Sequence, residues 1–134
     1  VTYFGYGPIE SYPDKHHDAK LGLYTSDVDS LHEDYLRPQE NGSHWNCSGL
    51  ALTTSDHRSL LISGTQNFSF NASRYTQEEL TTKAHSFELE KSPYTVLCLD
   101  GYMSGCGSNS CGPALAKKYR VDQDKLTFTF TLNF

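Results

Sequence analysis

The stretch KLTFTFTLNF, residues 125–134, decides the fold class of this chain. Its apolar side chains, Leu126, Phe128, Phe130 and Leu132, alternate with threonines. Successive side chains of a β-strand point to opposite faces of a sheet, so this pattern buries one face and exposes the other. The stretch therefore predicts an antiparallel strand over its whole length.

Short apolar segments precede this strand at regular intervals. They are Leu50–Leu52, Leu60–Ile62 and Phe68–Phe70, with Ser, Thr, Asp and Gly between them. Such spacing is typical of a sandwich. The apolar segment Tyr94–Leu99 predicts a strand that is buried on both faces. We therefore expect residues 1–134 to form one domain, an all-β antiparallel β-sandwich whose sheets are open to strands from another segment.

One segment has the start signal of a helix. Thr76 can act as the N-cap, and Glu79, three residues later, completes a capping-box pattern. We expect a short helix that ends near His85.

The first third of the chain is less regular. Val1–Gly5 has strand character, and a turn is expected at Gly5–Pro8, because glycine permits positive φ and proline stops a helix. Ser11–Asn46 is polar and contains one plausible helical turn, near Ser26–Tyr35. We expect this segment to run as a long excursion across a surface.

The composition excludes several classes of partner. Eleven Lys and Arg residues against sixteen Asp and Glu give a net charge of -5, which leaves no positive surplus to neutralise phosphates. The apolar runs are far shorter than the roughly 20 residues that span a bilayer, so no membrane partner is expected. No signal-peptide pattern opens the chain, and we expect an excised piece of a cytoplasmic protein. The four cysteines are too sparse for a disulfide scaffold, so free thiols are expected.

Four carboxylates are candidates for acid–base chemistry, because paired carboxyl groups about 5 to 10 Å apart can cleave a glycosidic bond. They are Glu10, Asp14, Glu40 and Asp100, and local spacing pairs none of them. Glu10 follows the Gly-Pro turn and Glu40 precedes Asn41–Gly42, where carboxylates commonly accept backbone N–H bonds. A structural role is therefore favoured over catalysis.

Metal and thiol sites are weaker candidates. In the triplet His16–Asp18, adjacent residues of an extended chain point in opposite directions, which favours a solvated loop over a zinc site. Cys106 and Cys111 could join His85, yet no base is fixed beside either thiol. The glycine-rich run around them lacks the Gly-Lys-Ser/Thr ending of a phosphate-binding loop. We expect no cofactor in this chain, and a small polar loop suited to the edge of a sugar site.

Four longer segments follow one another over nearly the whole chain. They are YFGYGPIESYPD (residues 3–14), YLRPQENG (35–42), FSFNASRY (68–75) and LDGYMSGCGSNSCGP (99–113). In order and spacing they resemble the C-terminal, small-chain domain of glycoside hydrolase family 2 β-galactosidases, which carries G-x-G-P-x-E-x-Y-x-D, P-x-E-N-G, F-x-F-N-x-S-R-Y and D-G-x-x-x-G-x-G motifs. The motif positions in this chain are Gly7, Pro8, Glu10, Tyr12, Asp14, Glu40, Asn41, Gly42, Asn71, Arg74, Tyr75, Asp100 and Gly101.

The resemblance implies a fold, and it implies that the catalytic residues lie in another part of the enzyme. The fold would be the C-terminal portion of a galactose-mutarotase-like supersandwich. The catalytic glutamates and the Mg²⁺ site of such enzymes lie on a β/α barrel, which no part of this sequence resembles. Hydrolysis of terminal β-D-galactosides such as lactose would belong to the parent enzyme, and this chain alone would be inactive. Its partners would be the remaining domains or the large subunit, and the galactoside in the full enzyme.

The resemblance also implies that the glycine-rich loop reaches the aglycone side of the substrate pocket. The expected rim residues are Met103, Ser108, Asn109 and Cys111. Some family members place a tryptophan at the position of Cys111, and a thiol offers no ring face for stacking on a sugar. Trp45 is the one indole that could substitute.

An alternative function is a stand-alone, lectin-like β-sandwich that binds carbohydrate. The many aromatic residues, 13% of the chain, favour it.

Overall fold

The computed structural model describes residues 1–107 and 113–134. Its strands are β1 (Thr2–Gly7), β2 (Lys20–Thr25), β3 (His44–Cys47), β4 (Gly49–Thr53), β5 (Ser59–Gly64), β6 (Phe68–Ser73), β7 (Val96–Asp100) and β8 (Phe130–Asn133). They form a five-stranded sheet, β2-β1-β4-β5-β8, and a three-stranded sheet, β3-β6-β7. Every pairing between these strands is antiparallel. The expected all-β antiparallel sandwich is confirmed.

Both sheets contribute to one apolar core. Tyr3, Leu50 and Ile62 of the larger sheet share a buried cluster with Phe68 and Phe70 of the smaller sheet. Full burial of each such side chain contributes about 1.5 to 3 kcal/mol to folding, so this cluster is a main source of stability.

The hairpin of β4 and β5 shows why the apolar spacing predicts strands. Leu50 lies opposite Ile62 on the core side, and Ala51 lies opposite Leu61 on the other side. Alternation thus gives the larger sheet a core face and an outer face. Because both faces of this hairpin carry apolar residues, its apolar segments reflect the outer face of the sheet as well as the core.

Strand β1 continues through Gly5 and Gly7, where a turn was expected. The strand therefore ends two residues later than predicted, at Gly7 instead of Gly5. A Cβ on Gly5 would collide with Sγ of Cys47, and one on Gly7 would collide with the Tyr3 hydroxyl. These glycines therefore permit close packing against the strand. The strand ends at Gly7, which a cis peptide bond joins to Pro8.

Strands β2 and β3 lie within the segment that was expected to be a surface excursion. Leu21 and Leu23 of β2 lie opposite Tyr6 and Phe4 of β1. Strand β3 has only four residues, too few to show a period in sequence. The helical turn expected in this segment is a 3-10 helix, Val28–Leu31.

The last two strands differ from their predictions. Strand β7 is only half-buried, because within the described part of the chain it is the edge of the smaller sheet. Strand β8 begins at Phe130, which lies opposite Gly64, the last residue of β5. Residues 126–129 lie beyond the end of β5, and the Phe128 ring packs over Gly101 instead.

The predicted helix, α1, covers Gln77–Thr82, and Thr76 is its N-cap. The Thr76 hydroxyl accepts a hydrogen bond of 3.0 Å from the Glu79 N–H. The helix ends three residues before the predicted limit, and a 3-10 helix, Ser86–Glu88, follows. Among the described residues, no helix has the length and apolar character needed to cross a bilayer.

Candidate functional site

The Glu10 carboxylate is buried just after the cis Gly7–Pro8 bond. One of its oxygens accepts hydrogen bonds from the Lys15 ammonium and the Tyr35 hydroxyl. The other accepts from the Gly42 N–H at 2.9 Å and the Tyr12 hydroxyl at 3.4 Å. Burial alone would raise the pKa of Glu10, but the bonds from Lys15, Tyr35 and Gly42 outweigh it and lower the pKa. Both oxygens are engaged, so this carboxylate ties loops together.

Asn41 organises the loop that brings Gly42 to this carboxylate. Its side-chain oxygen accepts a bond of 2.9 Å from the Glu33 N–H, and its amide donates to the Gln39 carbonyl at 2.9 Å. The Asn71 amide, on β6, donates to the Asn41 carbonyl. Gly42 has a φ of 71°, where a side chain would be strained and would meet a backbone carbonyl. The second and third sequence motifs therefore meet at one buried point.

The Asp14 carboxylate holds the glycine-rich loop. One of its oxygens accepts from the Cys106 N–H at 2.8 Å, and the other accepts from the Gly107 N–H at 2.9 Å. A side chain on Gly105 would collide with this carboxylate. The Ser43 hydroxyl donates to the Met103 sulfur at 3.5 Å. The first motif thus positions the loop of the fourth.

A small cleft lies beside this loop. The residues that line it are Trp45, Asn46, Asn67, Phe68, Ser69, Asp100, Gly101 and Met103. The Trp45 ring lies 5.2 Å from the Tyr6 ring and 4.4 Å from the His16 ring, measured between centroids. Asn46 adopts a φ of 58°, and its side-chain oxygen accepts from the Asn67 amide at 2.8 Å. An indole beside amide, hydroxyl and carboxyl groups is chemically suited to a sugar.

Glu40 and Asp100 are sixty positions apart in sequence but interact electrostatically in the fold. Desolvation raises the pKa of Glu40, and the Asp100 carboxylate raises it further. Burial also raises the pKa of Asp100, which lines the cleft. No local spacing in the sequence gives a sign of this proximity, because it depends on the fold bringing Asp100, the last residue of β7, near Glu40.

Metal and thiol chemistry gain little support from the geometry. The His16 and His17 rings stack 5.1 Å apart, so the expectation that they point in opposite directions is wrong. Within residues 1–107 and 113–134, no three His, Cys, Asp or Glu side chains are grouped as metal ligands. Desolvation and the nearby Asp14 raise the pKa of the Cys106 thiol to about 12, opposite to what a nucleophile needs.

The remaining motif residues lie elsewhere. The Tyr75 ring packs 4.9 Å from the His32 ring. Arg74 lines a groove at one end of the sandwich, and its Nε has no hydrogen-bond partner in the described part of the chain. Three of the expected rim residues, Ser108, Asn109 and Cys111, lie outside the described residues.

Comparison with known proteins adds a family. The family model described as "Beta galactosidase small chain" matches residues 1–132. The chain is 52% identical over its full length to a β-galactosidase of Actinobacillus pleuropneumoniae and 37% identical to one of Staphylococcus xylosus. It is 34% identical over 98% of its length to a β-galactosidase of Vibrio cholerae. The chain spans only 12 to 13% of the length of these relatives.

Proposed function

Since the chain belongs to the family of β-galactosidase small chains, we propose that it is a non-catalytic part of a β-galactosidase that completes the rim of the substrate pocket. The enzyme would hydrolyse terminal β-D-galactosides such as lactose. The observation that carries the proposal is the cleft that Trp45 and Met103 both line, next to a loop fixed by Asp14.

The state of the carboxylates supports a non-catalytic role. Retaining and inverting glycosidases both need one carboxylate that is free to attack or to activate water. The carboxylate oxygens of Glu10 and Asp14 accept hydrogen bonds from loop residues. Desolvation raises the pKa of Glu40 and of Asp100, which disfavours the ionised form that a nucleophile or a general base needs. We therefore place the catalytic glutamates on the remaining polypeptide.

The Mg²⁺ ion of the parent enzyme is placed there too. The described residues hold no grouped set of three candidate ligands for a hard cation, so they do not fit such a site. The free state of Cys47, Cys98 and Cys106 fits a reducing compartment, and we place the enzyme in the cytoplasm.

The rim contribution is assigned to Trp45. Its indole offers a broad apolar face and an N–H donor, the two features that a thiol at position 111 lacks. Tyr6 and His16 pack against the indole and restrict its rotation. An ordered aromatic beside the Asp100 carboxyl would contact the aglycone sugar of lactose.

The test uses the full-length β-galactosidase that contains this chain. We expect Trp45→Ala to raise KM for lactose roughly 5- to 13-fold, the loss expected from an aromatic contact of about 1 to 1.5 kcal/mol. β-D-Galactosyl fluoride has no aglycone sugar, so its hydrolysis should keep the parent's KM. Trp45→Tyr, which retains a ring, is the matched control and should lose less. Equal lactose kinetics in Trp45→Ala and the parent would contradict the assignment.

The same cleft favours one other function, a stand-alone carbohydrate-binding module. An indole, two asparagines and a carboxyl group could hold galactose without any further polypeptide. Calorimetric titration of the purified chain with galactose separates the two functions. Measurable affinity of the chain alone would favour the lectin-like module over a rim that is completed by other domains.

A further inference from the structure

The outer face of the five-stranded sheet is apolar and open to solvent. Phe4, Leu21, Leu23 and Leu61 lie on it and are 44%, 53%, 70% and 51% exposed. The strand register groups the leucines of β2 with the aromatic residues of β1, since Leu23 lies opposite Phe4 and Leu21 opposite Tyr6. Leu61 lies on the same face further across the sheet, opposite Ala51. Exposed leucines are ordinary when they are scattered, whereas a cluster on neighbouring strands marks an interaction surface.

This face also lacks charge. Its positions, read from the register, are Thr2, Phe4, Tyr6, Leu21, Leu23, Thr25, Gly49, Ala51, Thr53, Ser59, Leu61, Ser63, Thr131 and Asn133. None of these described residues is Asp, Glu, Lys or Arg, although such residues make up 20% of the chain. The solvated face of an antiparallel sheet normally carries polar and charged side chains. The face therefore combines an apolar cluster with uncharged polar side chains, a composition suited to contact with another protein surface.

We propose that this outer face docks against the remaining polypeptide of a β-galactosidase, on an equally uncharged, apolar surface. The inference rests on the proposed function, because it takes its partner from there. In the A. pleuropneumoniae and S. xylosus relatives the matching segment makes up 13% of the chain, so seven-eighths of the polypeptide lies outside it. In those relatives both parts belong to one polypeptide, and such linkage raises the effective concentration of a contact between them, which favours it over a second copy.

The position of the face explains what docking achieves. Tyr6 lies on the outer face and its ring contacts Trp45, which lines the cleft. The apolar cluster on β1 and β2 therefore ends beside the proposed rim. Polypeptide that covers Leu21 and Phe4 would be brought next to the cleft, where the catalytic groups are needed.

The experiment measures solvent access to this face in the full-length enzyme. Leu23→Cys and Asp56→Cys are made separately, and maleimide labelling of each new thiol is followed by mass spectrometry under native conditions. Asp56 is exposed in the turn between β4 and β5 and serves as the matched control. We expect Leu23→Cys to react at least tenfold more slowly than Asp56→Cys, and to reach the control rate in urea.

Two results would overturn the proposal. Labelling of Leu23→Cys at the control rate in the native enzyme would show an open face. Efficient disulfide cross-linking between the Leu23→Cys sites of two copies would show that the face meets itself. The labelling rate does not depend on catalysis, so it is separate from the lactose kinetics that test the rim. A covered face with unchanged Trp45→Ala kinetics would refute the rim assignment alone.

Discussion

Replacing Glu10 with glutamine should destabilise the protein by about 3 kcal/mol. The change keeps the shape of the side chain but turns one acceptor oxygen into an NH₂ donor. If the amide oxygen takes the place that faces Lys15 and Tyr35, the Gly42 N–H faces a donor. If the amide flips, two donors lose their acceptor instead.

The magnitude follows from these contacts. A hydrogen bond to a charged group contributes about 1.5 to 3 kcal/mol, and an unsatisfied buried N–H costs about 1 kcal/mol more. The Lys15 ammonium is half exposed, so solvent screening leaves its ion pair with Glu10 a small share, under about 1 kcal/mol. The Tyr35 and Gly42 contacts account for most of the loss.

Urea unfolding, followed by the fluorescence of Trp45, the single tryptophan, measures the effect. With an m-value of about 2 kcal/mol/M, the midpoint should fall by about 1.5 M. Asp56→Asn makes the same acid-to-amide change in an exposed ion pair with Arg58 and should leave the midpoint unchanged. If the two variants unfold at the same urea concentration, Glu10 does not tie the loops together.

Acid should reduce the difference between wild type and Glu10→Gln. The folded state holds the pKa of Glu10 below its ordinary 4.5, so its contribution is complete above that pH and is lost as the pH falls below it. Glutamine does not titrate. The two unfolding midpoints should therefore converge as the pH falls below about 4.5.

Three further predictions concern the core and the chemistry of the chain. Gly5→Ala should lower the free energy of unfolding by about 2 kcal/mol or more, because the new methyl group overlaps Cys47 Sγ, whereas Gly49→Ala, with its nearest atom 4.0 Å away, should not. Burial lowers the pKa of His44 to about 4, although a hydrogen bond to the Tyr6 carbonyl partly opposes this shift. The free energy of unfolding should therefore be highest above about pH 6.5 and fall by up to about 3 kcal/mol towards pH 4. Urea titrations at several pH values should show a weaker pH dependence for His44→Gln. The purified chain should release no nitrophenol from a nitrophenyl β-galactoside at any pH, and turnover above buffer would place catalytic groups within it.

The sequence predicts strands best where short apolar segments recur between turn-forming residues. Strands β4, β5 and β6 are predicted in this way. Strand β2, KLGLYT, alternates leucine with glycine and tyrosine, and its leucines lie on the outer face, so the core pattern does not reveal it. The opposite error occurs at residues 126–129, where the alternation is clear but the pairing with β5 ends at Gly64 and is followed by one backbone hydrogen bond, from the Thr65 N–H to the Thr129 carbonyl.

For the candidate site, the sequence predicts local contacts but not contacts between residues that are far apart in the chain. A carboxylate after a Gly-Pro turn or before Asn-Gly indicates backbone contacts, and Glu10 accepts such a bond from Gly42. The partner of that bond is 32 positions away, a distance that no local rule specifies. The presence of Trp45 and Met103 in one cleft likewise depends on how β3 packs near the loop after β7. The pocket-rim role remains a prediction for both residues.

Strand β1 links the three features on which the proposed function depends. Tyr3 points into the core, Phe4 points to the uncharged outer face, and Tyr6 packs on Trp45 at the cleft. Because a strand is stiff and its side chains alternate, a shift of β1 by one residue would exchange the core and outer faces and remove Tyr6 from the indole. Core packing, docking and the shape of the cleft are therefore set by one register. Gly5, where a side chain would meet Cys47, allows β3 to pack closely against β1 in that register.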